Sequence, residues 1–214
     1  MFTGIIEEVG TVLGIRRGAK SAVLHIAADK ILTDVRIGDS IAVNGVCLTA
    51  TSVNSNSFTA DVMPETLCRS SLADLKSRSH VNLERAMAAN GRFGGHIVSG
   101  HIDGTGAIKR IQKDDNAVRY EIGADRTILK YIVEKGSVTI DGISLTVTEV
   151  SEKSFSVSVI PHTISVTILG EKSVGSIVNL ENDIIGKYVE KLLFAKEEKP
   201  KSNITREYLA KYGF

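Results

Sequence analysis

Two residues of unlike reactivity stand in matching surroundings. Cys47 lies within Asn-Gly-Val-Cys-Leu-Thr at 44–49, and Ser144 within Asp-Gly-Ile-Ser-Leu-Thr at 141–146. A thiol is a nucleophile once ionised, whereas a hydroxyl needs a base beside it. Two of the chain's five histidines, His96 and His101, fall in a glycine-rich run, Asn-Gly-Arg-Phe-Gly-Gly-His-Ile-Val-Ser-Gly-His-Ile-Asp-Gly-Thr-Gly at 90–106. Histidine is the side chain best suited to carry a proton near neutral pH. No cysteine-hydrolase signature surrounds Cys47. His96 and His101 are off the helical spacing of a zinc site and no cysteine cluster joins them. Gly91 to Gly95 lacks the strand, lysine and helix of a phosphate loop, so it reads as a joint.

The period of a strand decides which side chains act together. After the Asn44-Gly45 turn, Cys47 and Thr49 share one face while Val46 and Leu48 share the other, and Ser144 and Thr146 repeat the pattern after Asp141-Gly142. Leu48 and Leu145 are then placed to fill an interior. Small polar groups at equivalent points suggest a pair of similar pockets. Each gains a strand-to-helix junction, at 61–66 and 158–163, where a helix opening on Pro64 or Pro161 presents unpaired N–H groups to carbonyl or nitrogen acceptors of a heterocycle. Gly4-Ile5-Ile6 and Gly100-His101-Ile102 add openings where glycine lets backbone lie close to a ligand. The two copies differ in reactive groups: Cys47 against Ser144, Asn44 against Asp141, Ile5 against His101 and Ala86 against Asp183.

These matches are parts of one internal repeat. Aligning Gly45 with Gly142 gives an offset of 142 − 45 = 97, and residues 40–84 match 137–181 without a gap at 17 of 45 positions. The match includes Val-Asn-Leu-Glu at 81–84 and 178–181. Residues 1–11 likewise resemble 97–107, aligning Gly4, Ile6 and Gly10 with Gly100, Ile102 and Gly106. The expected organisation is a barrel over 1–89, a glycine-rich hinge over 90–96, a second barrel over 97–186, and a helix with a tail over 187–214. Runs rich in valine, isoleucine and threonine at Ala22–Ala27, Ser40–Val43, Val46–Val53 and 57–63 predict short strands. The Asn-Gly and Asp-Gly dipeptides predict type I′ hairpins. The fold class is therefore all-β: two tandem homologous six-stranded Greek-key barrels, closed so that no edge is exposed, followed by a C-terminal helix.

At 214 residues the chain suffices for two such domains. A net charge of +1 argues against an electrostatic nucleic-acid or membrane binder. Two cysteines, no apolar signal run and no long apolar stretch suggest a cytoplasmic protein with free thiols. Cys68 reads as a small buried filler. Residues 187–196 place Tyr188, Val189, Leu192 and Ala195 on one side of a helix, an apolar stripe that needs a cover. Beyond it a charged linker leads to a short helix around Ile204, Tyr208 and Leu209.

The start Met-Phe-Thr-Gly-Ile-Ile-Glu, the blocks at 44–49 and 141–146, and Gly-Gly-His-Ile-Val-Ser-Gly-His-Ile at 94–102 resemble the riboflavin synthase family, α-chain type. The resemblance implies dismutation of two 6,7-dimethyl-8-ribityllumazine molecules, one giving a four-carbon unit to the other to yield riboflavin and 5-amino-6-(D-ribitylamino)uracil. It implies no metal and no redox cofactor. Ligand contacts are implied along Gly4, Ile5, Ile6, Cys47, Leu48, Thr49, Asp61, Val62, Met63, Pro64, Glu65 and Thr66 in the first barrel. In the second they run along Gly100, His101, Ile102, Lys135, Ser144, Leu145, Thr146, Val159, Ile160, Pro161, His162, Thr163 and Ile164. Reactive positions implied in the same way are Ser40, Cys47, His101, Asp141, Ser144, Thr146 and Asp183. His101 would carry the proton lost from a C7 methyl group, Cys47 and Ser144 would supply or orient the nucleophile, and Asp141 and Asp183 would steady amino or hydroxyl protons.

A homotrimer is also implied, assembled through its C-terminal helices, with each site joining the first barrel of one subunit to the second of another. Some family members sit inside a lumazine synthase capsid. The rival reading is a non-catalytic lumazine or flavin carrier, an antenna protein. Such proteins tend to lose the reactive set in one copy, whereas Cys47, His101, Asp141 and Ser144 are all present here. A flavin-reductase barrel would need a nucleotide-binding domain that the sequence lacks.

Overall fold

The computed structural model describes residues 1–194 and 206–213. Two closed barrels follow one another. The first contains β1 (Glu8–Arg17), β2 (Ala22–Ala27), β3 (Ser40–Val43), β4 (Val46–Val53), β5 (Ser57–Val62) and β6 (His80–Arg85), paired in the cyclic order 1-2-5-4-3-6. The second contains β7 (Gly104–Asp114), β8 (Ala117–Ala124), β9 (Ser137–Ile140), β10 (Ile143–Val150), β11 (Ser154–Val159) and β12 (Ile177–Asn182). Adding six to each strand number of the first barrel reproduces the pairing of the second. Every pairing is antiparallel. The helices are α1 (Pro64–Arg69), α2 (Arg126–Leu129), α3 (Pro161–Ser165), α4 (Ile184–Leu193) and α5 (Arg206–Lys211).

Local chemistry explains the repeated shape. Asn44 and Gly45 have φ of 47° and 78°, and Asp141 and Gly142 have 46° and 81°, the left-handed pair that a type I′ hairpin demands. Pro64 and Pro161 each occupy the first turn of a short helix. Alternation then fills the interiors. Leu24, Ile26, Ile41, Phe58 and Leu83 pack in the first barrel, and Ile108, Ile122, Ile140, Phe155 and Leu180 in the second. Phe58 and Phe155 hold the same place in each core, 0% and 1% exposed. Cys68 departs from its expected place as a filler: it is exposed, because α1 lies on the barrel surface and buries none of its side chains.

The barrels are joined through polar side chains. Asn82 and Asn179, both fully buried, hold equivalent positions on β6 and β12. Asn82 Nδ2 donates to Asp141 O at 3.0 Å, and its Oδ1 accepts from Ile168 N at 2.9 Å. Asn179 Nδ2 donates to Asn44 O at 2.9 Å, and its Oδ1 accepts from Ser71 N at 2.7 Å. Each amide thus satisfies itself on the opposite barrel, and the two hairpin turns meet back to back. A Cβ on Gly45 would lie 2.7 Å from Gly142 N. Buried polar groups left unpaired are expensive, so four reciprocal bonds fix one relative placement of the barrels.

Past Ile184 the chain forms a separate compact unit. Within it α4 carries Ile185, Tyr188, Val189 and Leu192 exposed. The helix begins three residues before the expected 187; Ala195, Lys196, the charged linker and Ile204 lie outside the described residues. Tyr208 and Leu209 fall on α5.

Candidate active site

The opening segment of each half is held by a buried glutamate. Glu84 Oε1 accepts from Thr3 N at 2.7 Å and Thr3 Oγ1 at 3.0 Å, and its Oε2 accepts from Gly4 N at 3.0 Å. Glu181 does the same for Ser99 N and Oγ, both at 2.7 Å, and for Gly100 N at 3.0 Å. Burial raises the Glu84 carboxyl above its ordinary value, although the Thr3, Gly4 and Ile5 donors oppose this. Tethered in this way, the openings cross. Phe2 N donates to Val98 O at 2.8 Å and Val98 N returns to Phe2 O at 3.2 Å.

Crossing corrects the within-half pockets expected above. Gly4 O accepts from Ser144 N at 2.8 Å, and Gly100 O accepts from Cys47 N at 2.8 Å, so each opening hydrogen-bonds a strand of the opposite half. Ile6 packs against the second core and Ile102 against the first. Gly4 and Gly100 have φ of +78° and +80°, and a Cβ on either would lie 2.6 Å from the Cβ of Ser144 or of Cys47. The backbone just before His101 therefore lies against Cys47, not Ser144.

Around these crossings the predicted side chains divide by face. Cys47 is half-buried against Phe2, Ala42 and Val98, and Thr49 is exposed beyond it. Ser144 and Thr146 repeat this on β10. Asp61, Met63, Pro64 and Glu65 are exposed at the first junction, and Ile160, Pro161 and His162 at the second, with Thr66, Thr163 and Ile164 partly covered. Met63 and Ile160, 69% and 57% exposed at matching positions, offer an apolar lip to each outer face. A cleft of about 410 Å³ brings Ser40 together with Thr3, Ile5, Glu84 and Arg85. Ser144 has one partner that Cys47 lacks: His96 Nδ1 lies 2.7 Å from its Oγ. His96 is 8% exposed, and burial lowers its proton affinity against the opposing charges of Asp183 and Glu181.

The model of the lumazine binding domain matches this chain twice, over residues 3–86 and 99–183. A riboflavin synthase from Actinobacillus pleuropneumoniae is 61% identical over 215 residues, covering 100% of both chains. The chain belongs to the riboflavin synthase family. Another member, the riboflavin synthase of Bacillus subtilis, is 54% identical with 100% of both chains covered. Among solved structures, LumP complexed with 6,7-dimethyl-8-(1'-D-ribityl) lumazine aligns with a TM-score of 0.77 at 23% identity, covering 85% of this chain and 99% of LumP. LumP complexed with riboflavin gives 0.78 at 24% over the same shares. These two likenesses show the fold.

Several residues that the resemblance implies are buried or bonded within the frame of the barrels. Asp141 is 1% exposed in the barrel junction, its Oδ1 accepting from Asn179 N at 2.8 Å and its Oδ2 lying 3.2 Å from Lys172 Nζ. Burial pushes this carboxyl up while Lys172 and Asn179 pull it down. The residue is a joint between the barrels. Leu48, Leu145, Val62 and Val159 point into the cores at 5%, 8%, 1% and 1% exposure, leaving only backbone for a ligand. Lys135 is exposed on a turn with φ +64°, where its counterpart is Gly38 at +95°. Asp183 ends β12's strand path, partly covered, within electrostatic reach of His96.

The family resemblance had not pointed to His96, Glu84 or Glu181. The glutamates were legible in part, because Asn and Glu alternate with Val and Leu in the duplicated block at 81–84 and 178–181. A polar face repeated identically on a strand signals a buried polar role.

Proposed function

We propose that this chain catalyses the dismutation of 6,7-dimethyl-8-ribityllumazine to riboflavin and 5-amino-6-(D-ribitylamino)uracil. One observation carries the reading. Two copies of a lumazine-binding fold share a chain, and their crossed openings leave Cys47 in one outer face and Ser144 in the other. Two identical molecules must react as giver and taker of a four-carbon unit, so two alike but unequal cradles suit the chemistry. Holding both reactants in register supplies about 7–11 kcal/mol of the barrier. The C7 methyl of one lumazine loses a proton while C7 of its partner accepts a nucleophile, with His101 as proton carrier and Cys47 or Ser144 orienting the attacking group. Thr49, Thr146, Ser40 and Asp183 offer hydrogen bonds to ring and ribityl oxygens, and Met63 and Ile160 cover the ring.

The full-length relatives at 54–61% identity are named as the enzyme, whereas the LumP structures stand at 23–24%. The test is to incubate purified protein with the lumazine alone and follow riboflavin absorbance. Tight binding with no turnover would assign the chain to the carriers. Cys47→Ser and Ser144→Ala should each slow turnover far more than they weaken binding, and an unchanged rate in both would remove them from the chemistry.

The exposed apolar side of α4 supports a homotrimer closed through the C-terminal helices, with each site completed by a neighbouring subunit. Truncation before Lys187 should give folded but monomeric and poorly active barrels; a trimer in sedimentation would refute this assignment. No helix among the described residues is long and apolar enough to cross a membrane. Two free thiols suit the reducing cytoplasm, the compartment we assign. Enclosure in a lumazine synthase capsid would place the trimer at its substrate's source, and co-elution with that partner tests it.

A further inference from the structure

We propose that His96 is a positioning residue for Ser144: protonated on Nδ1, it donates to Ser144 Oγ and so turns the serine's own proton toward the bound heterocycle. The inference rests on the reading that Ser144 faces ligand, and adds to it a device that makes one cradle differ from the other.

The contact is built, not incidental. His96 Nδ1 lies 2.7 Å from Ser144 Oγ, and His96 N donates to Thr3 O at 3.1 Å. A Cβ on the preceding Gly95 would fall 2.0 Å from Thr3 O and 2.9 Å from Ser144 Cβ, so the backbone entering His96 is wedged between the first opening and β10. His96 Nε2 is buried and meets no hydrogen-bond partner among the described residues. In neutral imidazole one ring nitrogen donates and the other accepts. A buried N–H left unpaired is rarer than a buried acceptor left unpaired. The orphan is therefore best carried as a bare lone pair on Nε2, which puts the proton on Nδ1. Ser144 Oγ then accepts from His96, and its hydroxyl hydrogen is free to point outward.

The first cradle has no such arrangement. Cys47 stands where Ser144 does, and a thiol is a weak donor. Among the described residues no histidine ring hydrogen-bonds Cys47, whose backbone N donates to Gly100 O. A directed donor on one lumazine and none on its twin gives two identical molecules different electron demand.

The experiment measures kcat and KM for the lumazine in the full-length protein. His96→Leu should lower kcat about tenfold to a hundredfold while KM changes by less than about threefold. His96→Asn, whose amide can donate near the Nδ1 position, should retain kcat within about threefold, whereas His96→Gln, which reaches toward the Nε2 position, should resemble the leucine variant. In a Ser144→Ala background, His96→Leu should add no further loss. Overturning results are an unchanged kcat in His96→Leu, losses that multiply with Ser144→Ala, or equal activity in the asparagine and glutamine variants. That last comparison decides the matter if His96→Leu fails to fold. A wild-type protein that makes no riboflavin would sink the enzyme reading instead, and is scored separately.

Discussion

Asn82 and Asn179 stand at the same point of the two barrels and each bonds the other barrel in the same way, while Cys47 and Ser144 also stand at the same point and differ in element and partners. The halves agree in the hydrogen bonds that hold the frame. Glu84 and Glu181 both seize an opening segment, and Asn44 and Asp141 both accept from the asparagine N–H at 2.8 Å. They disagree at the outer faces. A frame of reciprocal bonds fails if either copy drifts, because each half completes the other, but an exposed face can change in one copy alone. Duplication here preserves geometry and frees chemistry.

The crossing of the openings gives the largest expected effect. Gly4→Ala and Gly100→Ala each combine a left-handed φ with a Cβ 2.6 Å from a side chain and 2.8 or 3.0 Å from the backbone nitrogen of Ser144 or Cys47. Strain and overpacking together should cost about 3–5 kcal/mol. The two losses should be similar in denaturant midpoints. A large loss at one glycine and a small one at the other would show that the frame is less symmetric than its hydrogen bonds.

Repeat, barrel order and strand faces were open to sequence reasoning because they depend on local rules: alternation, hairpin dipeptides and an ungapped offset. The crossing was not. Gly4 and Ser144 are far apart in the chain, and nothing in either segment says which half its carbonyl will bond. The burial of Asp141 was closed to sequence reasoning for the same reason: the turn that covers it, Asn44-Gly45, comes from the other half. His96 was hidden by treating its segment as a joint, whereas its final residues are packed.

Asp141 and Lys172 sharpen the comparison further. Their counterparts are Asn44 and Leu75, so the second half holds a charged pair where the first has an amide and an aliphatic chain. Lys172→Leu strands a buried carboxylate and should cost about 2–3 kcal/mol, less than a fully enclosed pair because Lys172 keeps some contact with water. Adding Asp141→Asn recreates the first half's solution and should restore most of that loss. Thermal melts of the single and double variants test this. A double variant no more stable than the single one would mean that the two positions are not interchangeable solutions.

The smallest effect concerns Glu7 and Arg85. Glu7 Oε1 accepts from Arg85 N at 2.8 Å, as Asp103 Oδ2 accepts from Asn182 N at 2.8 Å, so the backbone bond is common to both halves. In the first half a guanidinium adds to this bond, with Arg85 Nη2 2.5 Å from Glu7 Oε2 and Asp34 on its other side. Burial alone would raise the Glu7 carboxyl, but the hydrogen bonds and charge of Arg85, with Lys30, outweigh it and hold the group below its ordinary value. A carboxylate whose folded value is depressed stabilises the fold above its unfolded value, and that share is lost as pH falls through the folded one. Arg85→Asn, which copies the second half, should therefore cost about 1–2 kcal/mol at neutral pH, and the gap from wild type should close as pH drops below about 4. Urea midpoints measured from neutral pH into acid follow the gap directly. If it persists undiminished in acid, the arginine acts through packing of its stem, and the Glu7–Arg85 ion pair carries no stability of its own.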